Sequence, residues 1–318
     1  MNQTVDTCVI GAGLGGLSIA RELEAAGDDY VVLDKGRTPG GRAATRRFAD
    51  SRFDHGLPLL DNQGPLTRAL AEEAQQAEVL EETEADGAAS GCWFAPAGIS
   101  SLGKHLASGL KIRSRHRVTG IEELDEGLTL QGESDQGQFT VDVRKKLFLT
   151  APLPQSLELL APLEPEWQLP DKAPYDKCVV AMARIDQDRL PDGPLLRELR
   201  DGSGRLVLEY RKFPDVEPGV SLRFSPLMSE RLFEAEDDEL KEVVSVALEE
   251  FTGPVPDDRI QLMKWRYATG SGAVPDPYLA MTRADVSVAV CGDAFFGGVT
   301  SGTEASLRSC QAAFENLT

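Results

Sequence analysis

Residues Thr7–Ile10 form a short apolar run that delivers the chain into Gly11-Ala12-Gly13-Leu14-Gly15-Gly16, and few folds tolerate glycines in that pattern. The first glycine permits a tight turn, the second lets backbone approach a pyrophosphate, and the third lets a helix lie close on the strand. Leu17, Ala20 and Leu23 then recur at helical spacing with Arg21, Glu22 and Glu24 left for water, and Gly27 stops the helix after Ala26. A second apolar run, Tyr30–Leu33, completes a βαβ unit and ends on Asp34, which lies 34 − 13 = 21 residues after the middle glycine. A carboxylate there accepts hydrogen bonds from ribose hydroxyls and disfavours the 2′-phosphate of NADP. The helix N-terminus holds phosphate through free N–H groups and partial positive charge, without any basic side chain. The expected nucleotide contacts are therefore Gly11, Gly13, Leu14, Gly15, Gly16, Asp34 and the adjoining Lys35. The fingerprint serves NAD and FAD alike.

The other end of the sequence repeats this logic. Val286–Cys291 is a continuous apolar run of the buried-strand type, followed by Gly292-Asp293, a glycine-rich loop and a helical pattern from about Thr303 to Glu315. Two such strand-to-helix turns, one at each end, predict an α/β fold. Its Rossmann-like FAD-binding lobe is discontinuous, taking 1–60, 98–155 and 255–318, and a mixed α+β substrate lobe is inserted from 61–97 and 156–254. In the insert, Leu240, Val243, Val244, Ala247, Leu248 and Phe251 predict a helix over Asp237–Phe251, stopped by Gly253-Pro254. Cys178–Ile185 and Arg205–Tyr210 read as short strands between proline- and glycine-rich crossovers.

A composition of 41% hydrophobic and 27% charged residues is that of a folded chain, and its formal net charge of −19 repels nucleic acid and anionic lipid surfaces. Runs such as Glu78–Glu84 and Glu234–Glu239 read as solvated surface. No stretch approaches the roughly 20 apolar residues of a membrane span. Five cysteines, odd in number and without a Cys-x-x-Cys pair, argue against a disulfide framework or zinc site and suit a reducing cytoplasm. The three histidines, His55, His105 and His116, have no metal-binding spacing, and no metal is expected.

Gly40-Gly41-Arg42 after the second strand, then Asp54-His55-Gly56, separate FAD from NAD. With these residues the chain resembles the flavin amine oxidase superfamily and, more narrowly, the renalase-like FAD-dependent oxidoreductases. Gly98-Ile99 with Leu102, Val118, Ala151-Pro152, Trp265-Arg266-Tyr267-Ala268 and Cys291-Gly292-Asp293 extend the likeness over most of the sequence. The resemblance implies noncovalent FAD. It places Gly41 and Arg42 by the pyrophosphate, Gly56 and Leu57 along the cofactor, and the Val118 backbone at the adenine. Gly292 gives close approach, and Asp293 accepts from the ribityl chain or faces the pyrophosphate through water. The amides of Thr300, Ser301, Gly302 and Thr303 would face the flavin pyrimidine ring and stabilise charge on the reduced form.

Flavin carries the redox chemistry, so no acid–base side chain is required. His55 reads as a structural hydrogen bonder or a base, and Trp265 and Tyr267 as pocket wall or core. Renalase-like proteins follow the Asp-x-Gly with a small residue and Gln-Tyr, whereas this chain has Leu57-Pro58-Leu59-Leu60. The leading expectation is hydride transfer from a small reduced substrate, dihydronicotinamide- or amine-like, to flavin N5, with oxygen as acceptor. A flavin dehydrogenase or desaturase acting on an apolar substrate, and a non-catalytic redox-sensing flavoprotein, are the alternatives.

Overall fold

The computed structural model describes residues 2–62, 64–83, 91–167, 175–270, 274–296 and 302–317. Its larger sheet has eight strands, with a main path 279–283, 286–290, 137–149, 2–10, 30–34 and 112–114. The Asn2–Ile10 strand sits centrally, parallel to Tyr30–Asp34 on one side and to Gly137–Leu149 on the other. Val286–Val290 adds a further parallel strand from the far end of the sequence, and Leu279–Arg283 closes that edge antiparallel. Cys8, Val9 and Ile10 are all buried although successive side chains point to opposite faces, because both faces are covered. Val9 joins the core under the helices Leu14–Ala26, Pro65–Gln76, Ser100–Leu106 and Gly302–Leu317. Cys8 and Ile10 join the opposite core, under Leu153–Leu160 and the antiparallel strands His116–Glu123 and Leu128–Ser134.

The βαβ start follows its sequence pattern closely. Gly27 takes a left-handed φ of 75°, and the amides of Gly27 and Asp28 donate to the carbonyls of Glu24 and Leu23, which satisfies groups the helix end would leave open.

A second sheet of five antiparallel strands runs 196–198, 204–207, 219–224, 175–184 and 260–270. The helix Asp237–Thr252 covers one face, burying Leu240, Val244 and Leu248 against Val179, Ala181, Val220 and Leu222. Residues 255–318, assigned from sequence to the nucleotide-binding lobe, divide here. The strand Ile260–Gly270 pairs with Tyr175–Arg184 in the second sheet, and the strands from Leu279 onward join the first. The alternation of Leu262, Lys264 and Arg266 with Met263, Trp265 and Tyr267 suits a strand with two different faces, unlike Val286–Val290, which is apolar apart from Ser287. The predicted Arg205–Tyr210 strand ends at Val207, and Glu209–Lys212 turn into a short helix. That turn carries Lys212 into the interior.

Two small elements join the sheets. A hairpin pairs Arg46–Phe48 with Ser51–Phe53, and Leu60–Asp61 pairs with Cys92–Phe94. All five cysteines are free, four buried and Cys178 half-buried. Among the described residues no helix is long and apolar enough to cross a membrane, and no cluster of His, Cys, Asp and Glu is arranged to hold a metal.

Candidate functional site

The glycines of the fingerprint divide into two kinds. A Cβ on Gly16 would stand 2.0 Å from the Gly11 carbonyl oxygen and 2.7 Å from Thr150 Oγ1, and one on Gly15 would stand 2.5 Å from Ser306 Oγ. These two let the helix pack against the first strand and against the last helix. A Cβ on Gly13 would meet nothing within 4 Å, and one on Gly292 would meet only the Thr150 carbonyl oxygen at 4.0 Å. Gly13 and Gly292 therefore face open space at the C-terminal ends of two parallel strands that flank the strand 137–149, where such sheets bind nucleotides. Gly41, at φ 58°, brings the next loop within 3.1 Å of the Gly13 Cα, measured from its own would-be Cβ. This bare backbone surface fits a pyrophosphate.

The helix start that faces this space offers its unpaired amides, with Leu14 half-buried and Gly15 and Gly16 buried. Asp34, expected at the ribose, accepts from the Ala12 amide at 2.6 Å through Oδ2 and from the Gly36 amide at 2.6 Å through Oδ1. Lys35 is exposed, and its Nζ donates to Gln155 Oε1 at 3.1 Å. Val118 is buried in its strand opposite Gly132. Gly302 and Thr303 begin the last helix, Gly302 at φ 57°, while Thr300 and Ser301 lie outside the described residues.

Substitution separates the two kinds of glycine. Gly13 already has φ −71°, which alanine adopts freely. Gly13→Ala should therefore leave the melting temperature of flavin-free protein unchanged while stripping the purified protein of FAD. Gly16→Ala should lower that melting temperature as well, since overpacking costs about 1–3 kcal/mol or more. Full flavin content in Gly13→Ala would move the pyrophosphate away from this turn.

Arg42, expected by the pyrophosphate, and Asp293, expected at the ribityl chain or the pyrophosphate, meet each other directly. Arg42 Nη1 donates to Asp293 Oδ2 at 2.7 Å, and to the carbonyls of Ala268 at 3.1 Å and Tyr267 at 3.4 Å. Asp293 is buried and also accepts from the Tyr175 hydroxyl at 3.0 Å and the Gly270 amide at 2.8 Å. Burial alone would push its carboxyl up, but the Arg42 guanidinium and the hydrogen bonds hold it below the ordinary carboxylate range. Arg42 gains in turn, with Asp293 outweighing the effect of burial and raising its pKa. Tyr175 lies edge-on to Tyr267 with ring centroids 5.5 Å apart, and its hydroxyl is pushed well up by burial and by Asp293. The pair thus locks the strand 260–270 of the second sheet to the Gly292 turn of the first.

The segment 54–57 runs alongside. Gly56 is glycine because a Cβ would stand 1.9 Å from the Arg42 carbonyl oxygen, which instead accepts from the Leu57 amide at 2.8 Å. Leu57 is half-buried, whereas Leu59 and Leu60 are core residues, so of the three leucines in the apolar run only Leu57 keeps appreciable exposure. His55 is 7% exposed and stacks on Trp265 with centroids 5.4 Å apart and planes 17° apart. Its carbonyl accepts from Trp265 Nε1 at 2.9 Å and Arg223 Nη1 at 3.2 Å, while its buried Nδ1 has no partner among the described residues. Burial, with Arg46 and Arg223 nearby, lowers the imidazole pKa to about 4, so it is neutral at pH 7.

Asp54 reveals a feature that single-residue reading missed. Its Oδ1 accepts from Thr45 Oγ1 at 2.6 Å and the Ile99 amide at 2.9 Å, and its Oδ2 receives the Lys212 ammonium at 2.8 Å. Lys212 also lies 2.6 Å from Glu209 Oε2 and donates to the Pro58 carbonyl at 3.1 Å. All three charged side chains are fully buried. Glu304 was also missed; buried in the last helix, it accepts from the Thr67 amide at 2.7 Å and the Thr67 hydroxyl at 2.9 Å, capping the helix Pro65–Gln76. Acidic residues in a charge-rich chain gave no sequence signal that they would point inward.

Comparison with known proteins shows the family and the fold. The profile described as flavin containing amine oxidoreductase matches residues 72–313, and one for an NAD(P)-binding Rossmann-like domain matches residues 9–74. A phytoene desaturase of Cercospora nicotianae is 42% identical over 64 residues, which is 20% of this chain and 10% of that protein. A putative flavin-containing monoamine oxidase of Mycobacterium tuberculosis is 39% identical over 70 residues, 22% of this chain and 15% of its own length. The matched segments thus span 10% to 15% of these curated relatives. Among solved structures, a redesigned putrescine oxidase superposes with a TM-score of 0.68 at 11% identity, covering 100% of this chain and 99% of that one. A putative protoporphyrinogen oxidase from an Exiguobacterium species gives 0.68 at 14% identity, covering 99% and 98%. At such identities the superpositions show a shared fold.

Proposed function

This chain belongs to the flavin-containing amine oxidoreductase family, and on that footing we propose that it is an FAD-dependent oxidoreductase that oxidises a small reduced substrate, dihydronicotinamide- or amine-like, with oxygen as the final acceptor. The observation that carries the reading is the bare backbone surface at Gly13, Gly41 and Gly292, bordered by the Arg42–Asp293 pair. When bound, FAD supplies a hydride-accepting centre and a route for two electrons to oxygen. The protein's own part is binding and placement. The amides at Leu14–Gly16 and the Asp34 carboxylate hold the dinucleotide end, and Val118, Gly56 and Leu57 border its path. Gly302 and Thr303 present a helix N-terminus to the redox-active end. His55 and Trp265 wall the substrate side, where a neutral imidazole donates or accepts a hydrogen bond without carrying charge.

The test is an absorption spectrum of the purified protein under anaerobic conditions, with reduced nicotinamide isomers and then primary amines added and air readmitted. Flavin bands that bleach with one of these donors and return promptly with air are the expected result. Bands that stay oxidised with every donor would remove the substrate assignment.

A second reading, a dehydrogenase or desaturase of an apolar substrate, is favoured by the half-buried Leu57 beside the cofactor path. It predicts a reduced protein that returns to the oxidised state only slowly in air.

A further inference from the structure

We propose that the substrate carries an anionic acid group and that Arg223 receives it, at a wall formed with His55, Leu57, Cys178 and Trp265. The inference rests on the flavin-enzyme reading and narrows the class of molecule it takes. The wall is continuous with the cofactor surface, because the Leu57 amide bonds the Arg42 carbonyl at 2.8 Å and Trp265 precedes by two residues the Tyr267 carbonyl that Arg42 also contacts. Leu57, Cys178, Arg223 and Trp265 are each half-buried rather than sealed in a core, as the sides of a cleft are.

The charge at this wall is positive. Carboxylates outnumber cationic side chains, 52 Asp and Glu against 33 Lys and Arg, so an arginine on this protein has many acidic partners available. On the second sheet Arg205 pairs with Glu198, Arg266 with Glu234, Lys177 with Glu230 and Arg184 with Glu217, while Arg197 and Lys264 donate to backbone carbonyls. Arg223 lies directly across from Arg205 in the sheet, yet no carboxylate of the described residues comes within 4.0 Å of it or of Arg46. One described hydrogen bond, to the His55 carbonyl, uses a single nitrogen of its guanidinium, whose planar fork suits a carboxylate or phosphate. On the same residue the His55 Nδ1 is buried with no partner among the described residues, a polar atom left unsatisfied at this wall. Two uncompensated guanidinium groups repel an ammonium, so a cationic amine is the poorer fit.

The experiment titrates the purified FAD-loaded protein with benzoate, phenyl phosphate, benzamide and benzylammonium, reading perturbation of the flavin spectrum and, in parallel, heat of binding. Benzoate or phenyl phosphate is expected to bind at least tenfold more tightly than neutral benzamide, and the tighter of the two identifies the acid group preferred. Arg223→Gln should weaken anion binding roughly ten- to a hundredfold and leave benzamide unchanged. Arg46→Gln should weaken it by a smaller factor, and Arg144→Gln, an exposed position on the first sheet, should have no effect. Equal affinity for benzoate and benzamide, or tighter binding of benzylammonium, would overturn the proposal while leaving the flavin enzyme intact. If Arg223→Gln does not fold, unchanged anion affinity in Arg46→Gln together with insensitivity to added salt would overturn it instead. Protein that never carries FAD would contradict the underlying functional reading, and the calorimetric arm would still report on the anion site.

Discussion

Lys212→Met lowers the free energy of unfolding by about 3–5 kcal/mol, the expected result of removing one partner from a buried ionic cluster. Methionine matches the length of the lysine stem, so little packing is lost. What changes is that the Asp54 and Glu209 carboxylates remain in the interior without their cation. Burial disfavours charge on Lys212, but the two carboxylates outweigh it and hold the ammonium above its ordinary pKa. For Glu209 the balance falls the other way, and burial keeps its carboxyl raised despite Lys212. The cluster joins three parts of the chain, through Thr45, Ile99 and the Pro58 carbonyl, so its loss should loosen the Asp54–Leu57 segment together with the fold. A urea midpoint measures the loss. The triple variant Lys212→Met, Asp54→Asn, Glu209→Gln should recover most of it, because neutral partners remove the stranded charge. A single variant as stable as the parent would show that the cluster does not anchor the two sheets.

Asp293→Asn should release FAD during gel filtration, with affinity reduced roughly ten- to a hundredfold, since a hydrogen bond to a charged group contributes about 1.5–3 kcal/mol. The substitution keeps the shape but leaves the Arg42 guanidinium without its carboxylate and disturbs the hold on Tyr175 and Gly270. The same change has a signature in pH. Asp293 is depressed in the folded protein relative to an ordinary value near 3.9, so it adds stability at and above that pH. That contribution is lost as the pH falls from about 4 through the folded pKa. The parent should therefore lose stability over this window more steeply than Asp293→Asn. Parallel acid profiles, or undiminished flavin content, would relieve Asp293 of this role.

Local rules explain why the nucleotide-binding half was legible. Gly11 and Gly16 are demanded by contacts within a few residues or with the end of the adjacent strand, and Gly27 caps its own helix. The Asp237–Thr252 helix followed from the period of its apolar residues, and Val286–Val290 from a strand buried on both faces. Each of these depends on backbone geometry and short-range pattern, which the order of residues carries directly. Arg42 and Asp293 were recognised as site residues by resemblance, but their pairing across 251 positions was not readable.

What the sequence determined by itself was the presence of a glycine turn suited to pyrophosphate, the α/β class and the acidic, folded character of the chain. Tertiary structure alone decided that Ile260–Gly270 joins the second sheet, that Lys212 turns inward to Asp54 and Glu209, and that Arg223 donates to the His55 carbonyl with no carboxylate of the described residues within 4.0 Å. The reason is physical. Backbone conformation is set by neighbours a few residues away, whereas the fate of a charge is set by whichever groups desolvate or neutralise it, and those arrive from distant segments only when the sheets have packed.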